Sequence, residues 1–475
     1  MRKGRVGGIM AASAMTIAIA ATGRAQADSE GLPRQAASDA TRAVRVIAEG
    51  LREHAALPGL AFAIGVEGRV AFSEAFGVAD LETRAPATPD TRFRIGSTGK
   101  SLTAAGAMLL AERGRLDLDA RVDRYVPEAG TAGAATARQL AGHLGGVRHY
   151  RRDDFLVTTH YDDVVDALAL FAGDSLVAPP GTVYAYSTHG YTLLSAVMQA
   201  AAGEPFLAWM EREVFDPLGM RATGPDDVTA VVPGRAAFYR IEEGEIVPAR
   251  FTDNSYKWAG GGFVSTAEDL VRFGSALLDG TLLGAGVAER MFVSHRTAAG
   301  EETGYGMGFR PRLDWEGRRV VHHGGSSEGG RAFLLLYPDV AVVVALAANR
   351  ENAPLFEHEA QTIAHFYLDH DEAGGALDDS LSGAWRFEGA HGDDAVAGEL
   401  RLHGDASIRG MLDWSDEQAP IEILLVDRHD ERLRLIGVGP HGLMNAWLGP
   451  DGDGWSGRWD YLGKGGDMRL EKTGS

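Results

Sequence analysis

Cysteine is absent from all 475 residues. That absence excludes disulfides, a thiol nucleophile, a thiolate metal site and a lipidated cysteine. Lysine is almost as scarce, with five against forty-one arginines. Arginine cannot give up its proton whereas a desolvated lysine can, so a lysine placed where arginine is the default suggests that a titratable amine is wanted. Positive charge is short overall: 46 basic side chains face 66 acidic ones, for a formal charge of −20. A surface that acidic repels phosphate backbones, and no nucleic-acid partner is expected.

Long apolar runs are missing too. The run from Val6 to Ala21 is shorter than the roughly 20 residues a membrane-spanning helix needs. It follows the basic opening Met1-Arg2-Lys3-Gly4-Arg5 and precedes Ala25-Gln26-Ala27, the small-residue pattern that signal peptidase reads. We therefore expect residues 1–27 to be a cleaved signal peptide, with Asp28 opening a secreted or periplasmic protein that has no stable membrane anchor. Loss of Arg2, Lys3, Arg5 and Arg24 would move the formal charge from −20 to −24.

What remains is long enough for two domains. Ala37 to His54 reads as a helix, and Leu60 to Val66 with Arg69 to Phe76 as a hairpin turning at Glu67-Gly68. The next two hundred residues look mostly helical, broken by loops at Pro179-Pro180-Gly181 and Gly260-Gly261-Gly262. Strand character returns at Arg319 to His322, Ala332 to Tyr337 and Val340 to Ala348, before a last helix from Pro354 to Asp369. Strands at both ends with helices between imply an α+β fold, in which distant segments close one antiparallel sheet flanked by terminal helices and a helical subdomain. The main domain is expected to span residues 28–372. Residues 373–475 alternate short apolar runs with glycine turns and hold five of the eight tryptophans, which predicts a small β-barrel or sandwich.

Ser97-Thr98-Gly99-Lys100 stands between the extended run Arg92 to Ile95 and the helical run Leu102 to Arg113. Three residues apart on a first helical turn, the serine hydroxyl and the lysine amine share a face, so the amine can keep the hydroxyl reactive. A cap and a solvated lysine is the competing reading. Acyl transfer by serine also needs an oxyanion cradle and a second proton carrier. Tyr186, in Tyr184-Ala185-Tyr186-Ser187-Thr188, has two readings: a ring packed into the core, or a phenol that, beside Lys100, exists as phenolate and takes the serine proton. His322-His323-Gly324-Gly325-Ser326 ends a strand; its glycines let a substrate lie along the backbone, and an imidazole there can donate to substrate or tyrosine. Adjacent histidines on a strand face opposite ways, which argues against a metal pair.

Two further motifs are read as chance. Gly325-Ser326-Ser327-Glu328-Gly329 fits the nucleophile elbow G-x-S-x-G, but an elbow needs a helix directly after it and Ala332 to Tyr337 reads as strand. Lys472-Thr473-Gly474 spells a lysine motif, yet it sits in the tail with no inner strand to give.

Ser97 to Lys100, Tyr186 to Thr188 and His323 to Gly325 occur in the order and rough separations of class C β-lactamases and low-molecular-weight penicillin-binding proteins, and the resemblance spans about residues 35 to 370. With His143-Leu144-Gly145-Gly146-Val147-Arg148-His149-Tyr150, the run Tyr186 to Leu194, and Asn254 to Phe263, the chain most resembles the β-lactamase-related serine hydrolases that include mitochondrial β-lactamase-like members. The resemblance implies a β-lactamase/transpeptidase-like fold, Ser97 as acylated nucleophile, Lys100 and Tyr186 as its activators, and His323 where many relatives carry lysine. It further implies an oxyanion hole from the backbone N–H groups of Ser97 and Ser326, with Gly325 and Thr188 beside the substrate. Thr188 replaces the usual asparagine, so one hydroxyl stands for an amide. Histidine at 323 removes a permanent cation. The expected function is a serine hydrolase acting on a small ester, amide or peptide through an acyl-enzyme, without cofactor or metal. The alternative is a penicillin-recognising or peptide-binding module that does not turn over.

Overall fold

A computed structural model describes residues 34–473, apart from 152–153, 285, 369–380, 404–408, 415–419 and 430. The expected signal peptide, the expected boundary at 372/373 and Gly474 lie outside the described residues. Among the described residues no helix is long and apolar enough to cross a membrane.

The sheet forms because strands of alternating or wholly apolar composition come from both halves of the chain. Helix α1 (Arg34–His54) leads into β1 (Gly59–Val66) and β2 (Arg69–Asp80), a hairpin extended by the short β3 (Ala85–Pro86). Much later come β4 (Arg310–Leu313), β5 (Arg319–Ser327), β6 (Gly330–Tyr337) and β7 (Val342–Ala348). The order is β3-β2-β1-β7-β6-β5-β4, so β1 pairs antiparallel with β7 across nearly 300 residues of sequence, Phe62 opposite Leu346. This is the closure by distant segments that the sequence predicts.

Side chains of period two then divide the core between two faces. Leu60, Phe62, Ile64, Leu335, Val344 and Leu346 pack against Val44, Ile47 and Leu51 of α1 and Ile363 of α5 (Glu357–Leu368). Ala61, Ala63, Leu334, Leu336 and Val343 face the other way, onto Leu270, Val271 and Phe273 of α4 (Ala267–Leu278) and the helical lobe. That lobe is less helical than its sequence predicts. Regular helix is confined mainly to α2 (Gly99–Glu112), α3 (Thr188–Ala202) and α4, with 3-10 turns, short strands and loops between them. Glycines at positive φ, among them Gly130, Gly146 and Gly181, interrupt its apolar periodicity.

The C-terminal segment is a closed eight-stranded barrel, which settles barrel against sandwich. Its first strand, Gly383–His391, pairs with its last, Lys464–Lys472, leaving no free sheet edge. Trp385, Phe387, Leu400, Leu435, Met444 and Trp459 fill the interior. Lys472 lies over the Trp385 ring and Thr473 N–H donates to Ala384 O at 2.9 Å, so this lysine motif belongs to the barrel wall. The outer wall docks on the α1/α5 face through Leu424, Ile436, Val438 and Leu443. Buried Glu359 on α5 accepts from Leu443 N–H at 3.2 Å and Phe356 N–H at 3.0 Å, and Asn445 donates to Thr362 Oγ1 at 2.6 Å.

One buried amide ties the two chain halves together. Asn349, just past β7, accepts from Gly59 N–H at 2.7 Å and donates to Val78 O and Ala79 O, both at 3.2 Å. Asn349→Ala leaves the buried Gly59 N–H without its acceptor, and we expect it to cost about 1 to 3 kcal/mol, read as a lower urea midpoint. A midpoint equal to that of the unsubstituted protein would show that the amide is not a clamp.

Candidate active site

Ser97 lies in a 3-10 turn, Gly96–Thr98, that runs directly into α2. The turn is held by contacts that only glycine permits. Gly96 has φ +50°, and a Cβ there would sit 2.6 Å from Ser326 O; a Cβ on Gly325 would sit 1.8 Å from Ile95 O. Backbone therefore packs on backbone between the turn and β5. The hydroxyls of α2 complete the junction, Thr98 donating to His323 O at 3.2 Å, Ser101 to Gly308 O at 2.6 Å and Thr103 to Ala259 O at 2.7 Å.

Lys100 comes off the next turn on the same face, as its spacing requires. Its Nζ lies 3.1 Å from Ser97 Oγ and 3.0 Å from Thr188 Oγ1, and it donates to Gly260 O. The side chain is fully buried and no carboxylate pairs with it among the described residues. Burial, with a smaller contribution from the charge of Lys257, holds the amine well below its ordinary pKa. A neutral amine keeps a lone pair. Gly260 O can only accept, so that lone pair is left for a hydroxyl.

Tyr186 reaches the same point. Its ring centroid lies 5.0 Å from Lys100 Nζ, and its phenol is near enough to Ser97 for that side chain to act on its titration. Burial pushes the phenol up, not down, so the expected phenolate is corrected to a neutral phenol. The physical reason is desolvation, which outweighs the opposing charge of Arg310.

Thr188 opens α3 behind Lys100, and two histidines within the His143–Tyr150 run organise that helix end. His143 Nδ1 accepts from Ser187 N–H at 3.1 Å, His149 Nδ1 accepts from Thr188 N–H at 3.2 Å, and Ser187 Oγ accepts from Gly190 N–H at 2.8 Å. Burial keeps both rings neutral, His149 falling to about 4, which suits nitrogens that must accept. Their capping role was not foreseen from sequence; the signal available was two histidines near a tyrosine that precedes a helix.

His323 sits in the site but not as expected. The whole motif remains on β5, with Ser326 exposed at its end. Gly324 O, which can only accept, lies 2.8 Å from His323 Nδ1, so that nitrogen carries the proton; Nε2 then accepts from Tyr305 Oη at 2.9 Å. Buried and neutral, the ring has no N–H left for substrate or for Tyr186. His322 points to the opposite face, stacking on Phe333 with Nε2 3.2 Å from Glu357. Ser327 is buried on the strand and β6 follows it, so the elbow reading finds no helix. No cluster of potential metal ligands occurs among the described residues. A cavity of about 1110 Å³ lies between the barrel wall, the first turn of α5 and Trp315, and its lining includes none of Ser97, Lys100, Tyr186 and His323.

Lys257 is a second buried amine beside the site. Its Nζ faces the rings of Phe155, Tyr256 and Tyr150 at 4.9, 5.2 and 5.6 Å. Burial first, then Arg94, lowers it to about 7, against the opposing pull of Glu328 and Asp226. Between that value and the ordinary lysine value of about 10.4 the unfolded chain binds more protons, so this group makes stability rise with pH across that window. Lys257→Met should therefore raise the urea midpoint more at pH 6 than at pH 9. An equal shift at both values would show that the buried amine carries no charge penalty.

The comparisons agree with this geometry. The Beta-lactamase family model matches residues 44–368. The chain is 31% identical over 305 residues to the human (Homo sapiens) serine beta-lactamase-like protein LACTB, mitochondrial, covering 49% of this chain and 56% of that one, so it spans little more than half of that relative. It is 27% identical over 321 residues to penicillin-binding protein 4* of Bacillus subtilis, covering 63% of this chain and 70% of that protein. Among solved structures, that of SurE superposes with a TM-score of 0.61 at 25% identity, covering 91% of this chain and 99% of that one. With a buried lysine amine beside a serine at the junction of an antiparallel sheet and a helical lobe, and a family match over residues 44–368, this protein belongs to the Beta-lactamase family.

Proposed function

We propose that the protein hydrolyses small esters, amides or peptides by two-step acyl transfer, with Ser97 as the nucleophile. The observation that carries this reading is the fully buried Lys100 amine, 3.1 Å from Ser97 Oγ and held by desolvation well below its ordinary pKa. As Ser97 Oγ attacks the carbonyl, its proton passes to Lys100, directly or through the phenol of Tyr186, whose ring lies 5.0 Å from that amine. The neutral phenol then suits proton delivery to the leaving group, and Lys100 restores it. The backbone N–H groups of Ser97 and Ser326 cradle the oxyanion, a role worth roughly 2.7 to 4 kcal/mol per donor in comparable sites. Support for that cradle comes from Gly96 and Gly325, which bring the two backbones into contact. His323 acts here by position: tied to Tyr305, it walls the site without donating. Water entering after the leaving group departs completes turnover.

Ser97→Ala should lower turnover by about 10⁴-fold, and Lys100→Arg, whose guanidinium stays protonated, by a similar factor. Peptide mapping after fluorophosphonate labelling should place the adduct on Ser97. An adduct on Ser327, or near-normal turnover in either variant, would overturn the assignment. A single acylation burst without turnover would favour a non-turnover penicillin-recognising module instead. Because Lys100 must be neutral, activity should persist at neutral pH and fall on the acid side as the amine gains its proton.

We also propose export to a secreted or periplasmic location, supported by the basic-apolar-small pattern of residues 1–27. N-terminal sequencing of the protein recovered from its producing cell should read from Asp28; a chain beginning at Met1 would refute this.

A further inference from the structure

We propose that the cleft between the barrel wall and α5 binds a single-chain anionic amphiphile, an acyl chain ending in a carboxylate. Ser97, Lys100, Tyr186 and His323 do not border this cleft, so the proposal stands apart from the hydrolase reading.

The cleft has the size and the surface for such a ligand. Its volume is about 1110 Å³, at the upper end of small-molecule sites, which usually enclose roughly 300 to 1,000 Å³. Leu313 and Trp315 of the β4–β5 hairpin, Phe356 just before α5, and Leu462 in the turn between the last two barrel strands all line it. All four are exposed. Large apolar side chains scattered singly over a surface need no explanation, whereas four turned towards one cleft mark a place where an apolar body is covered.

Charge selects the head of the ligand. Arg432 and Arg458 line the same cleft, both exposed, and neither forms an ion pair among the described residues, although acidic side chains outnumber basic ones by twenty in the chain. The strand register puts both on the outer barrel wall. Arg458 stands opposite Trp447. Arg432 lies two residues before Arg434, whose guanidinium sits 4.7 Å from the Trp447 ring centroid, so the period of two gives all of them one face. On the strand between them, a Cβ on Gly449 would meet nothing nearer than Ser456 O at 4.0 Å, and the floor there is open.

The carboxylates around the cleft are engaged. Glu359 accepts from the N–H groups of Phe356 and Leu443. Asp460 lies 3.1 Å from His358 Nδ1 and accepts from Gly463 N–H at 3.1 Å. Glu357 lies 3.2 Å from His322 Nε2 and accepts from Gln361 Nε2 at 3.0 Å, and Glu316 pairs with Arg318 at 2.5 Å. The two guanidiniums are left to be answered, and carboxylate is the group their planar forks fit.

The test uses the full chain and 11-(dansylamino)undecanoate, whose fluorescence is excited by energy transfer from tryptophan, with Trp315 and Trp447 in the cleft lining. Binding should saturate at one probe per chain with a low-micromolar dissociation constant. Laurate, below its micelle concentration, should displace the probe at least tenfold more effectively than dodecanol, and dodecyltrimethylammonium should be the weakest competitor. The double variant Arg432→Gln, Arg458→Gln should weaken binding about tenfold or more, and Arg432→Glu with Arg458→Glu should reverse the order of laurate and the cation. Trp315→Ala should weaken laurate and dodecanol alike. All these positions are exposed, and an unchanged urea midpoint would show that the variants are folded. Raised salt should weaken laurate more than dodecanol. No saturable binding, a cation that competes as well as laurate, or a probe indifferent to both the arginine and the Trp315 variants would overturn the proposal, the last by placing the probe elsewhere, in the barrel interior or at Ser97.

Discussion

Taking one lysine out of water organises the site. Lys100 is held without a described counter-ion between Ser97, Thr188 and Gly260 O, and desolvation shifts it towards the neutral amine, a weaker base but one with a lone pair to accept a proton. An arginine could not fill this place, because its proton does not leave. The rest of the pocket is arranged around that neutrality. Burial keeps Tyr186 a phenol against the opposing charge of Arg310, and burial likewise keeps the imidazoles of His143, His149 and His323 neutral, each with a ring nitrogen that accepts.

Three segments far apart in sequence must meet to bury that amine, and the meeting is made by backbone. Gly96 and Gly325 allow the serine turn to lie against β5, while hydroxyls on α2 bond carbonyls of β5, of the Ala259 turn and of Gly308. The glycine contacts and the Thr98 bond join the sheet to the helical lobe, and the Ser101 and Thr103 bonds tie α2 to the segment before β4 and to the Ala259 turn. The sheet itself is closed by β1 and β7, with Asn349 bonding both β1 and the strand beside it. The site is thus as rigid as the closure of the sheet.

Much of this was legible in the chain. The Ser97–Lys100 spacing on a helix start, the strand pattern at both ends and the glycine-punctuated tail indicated the paired side chains, the α+β sheet and the barrel. What the sequence left open follows from charge and tautomer. Tyr186 as phenolate was a reasonable expectation for a phenol beside a lysine, and it fails because burial acts on both groups at once. His323 as donor fails because Tyr305, eighteen residues earlier, comes within 2.9 Å of it. Neither effect has a signature in local spacing.

Lys257 marks the same limit from the other side. It looks in sequence like an ordinary basic residue, and it acquires its character from what surrounds it: three aromatic rings and burial, which outweigh the pull of Glu328 and Asp226. The sequence by itself determined which functional groups are available, since no cysteine, few lysines and one S-x-x-K at a helix start leave little else for acyl chemistry. Only the tertiary structure decided which of them are charged and which still have a free proton or lone pair. Those properties depend on desolvation and on the geometry of neighbours brought in from remote parts of the chain.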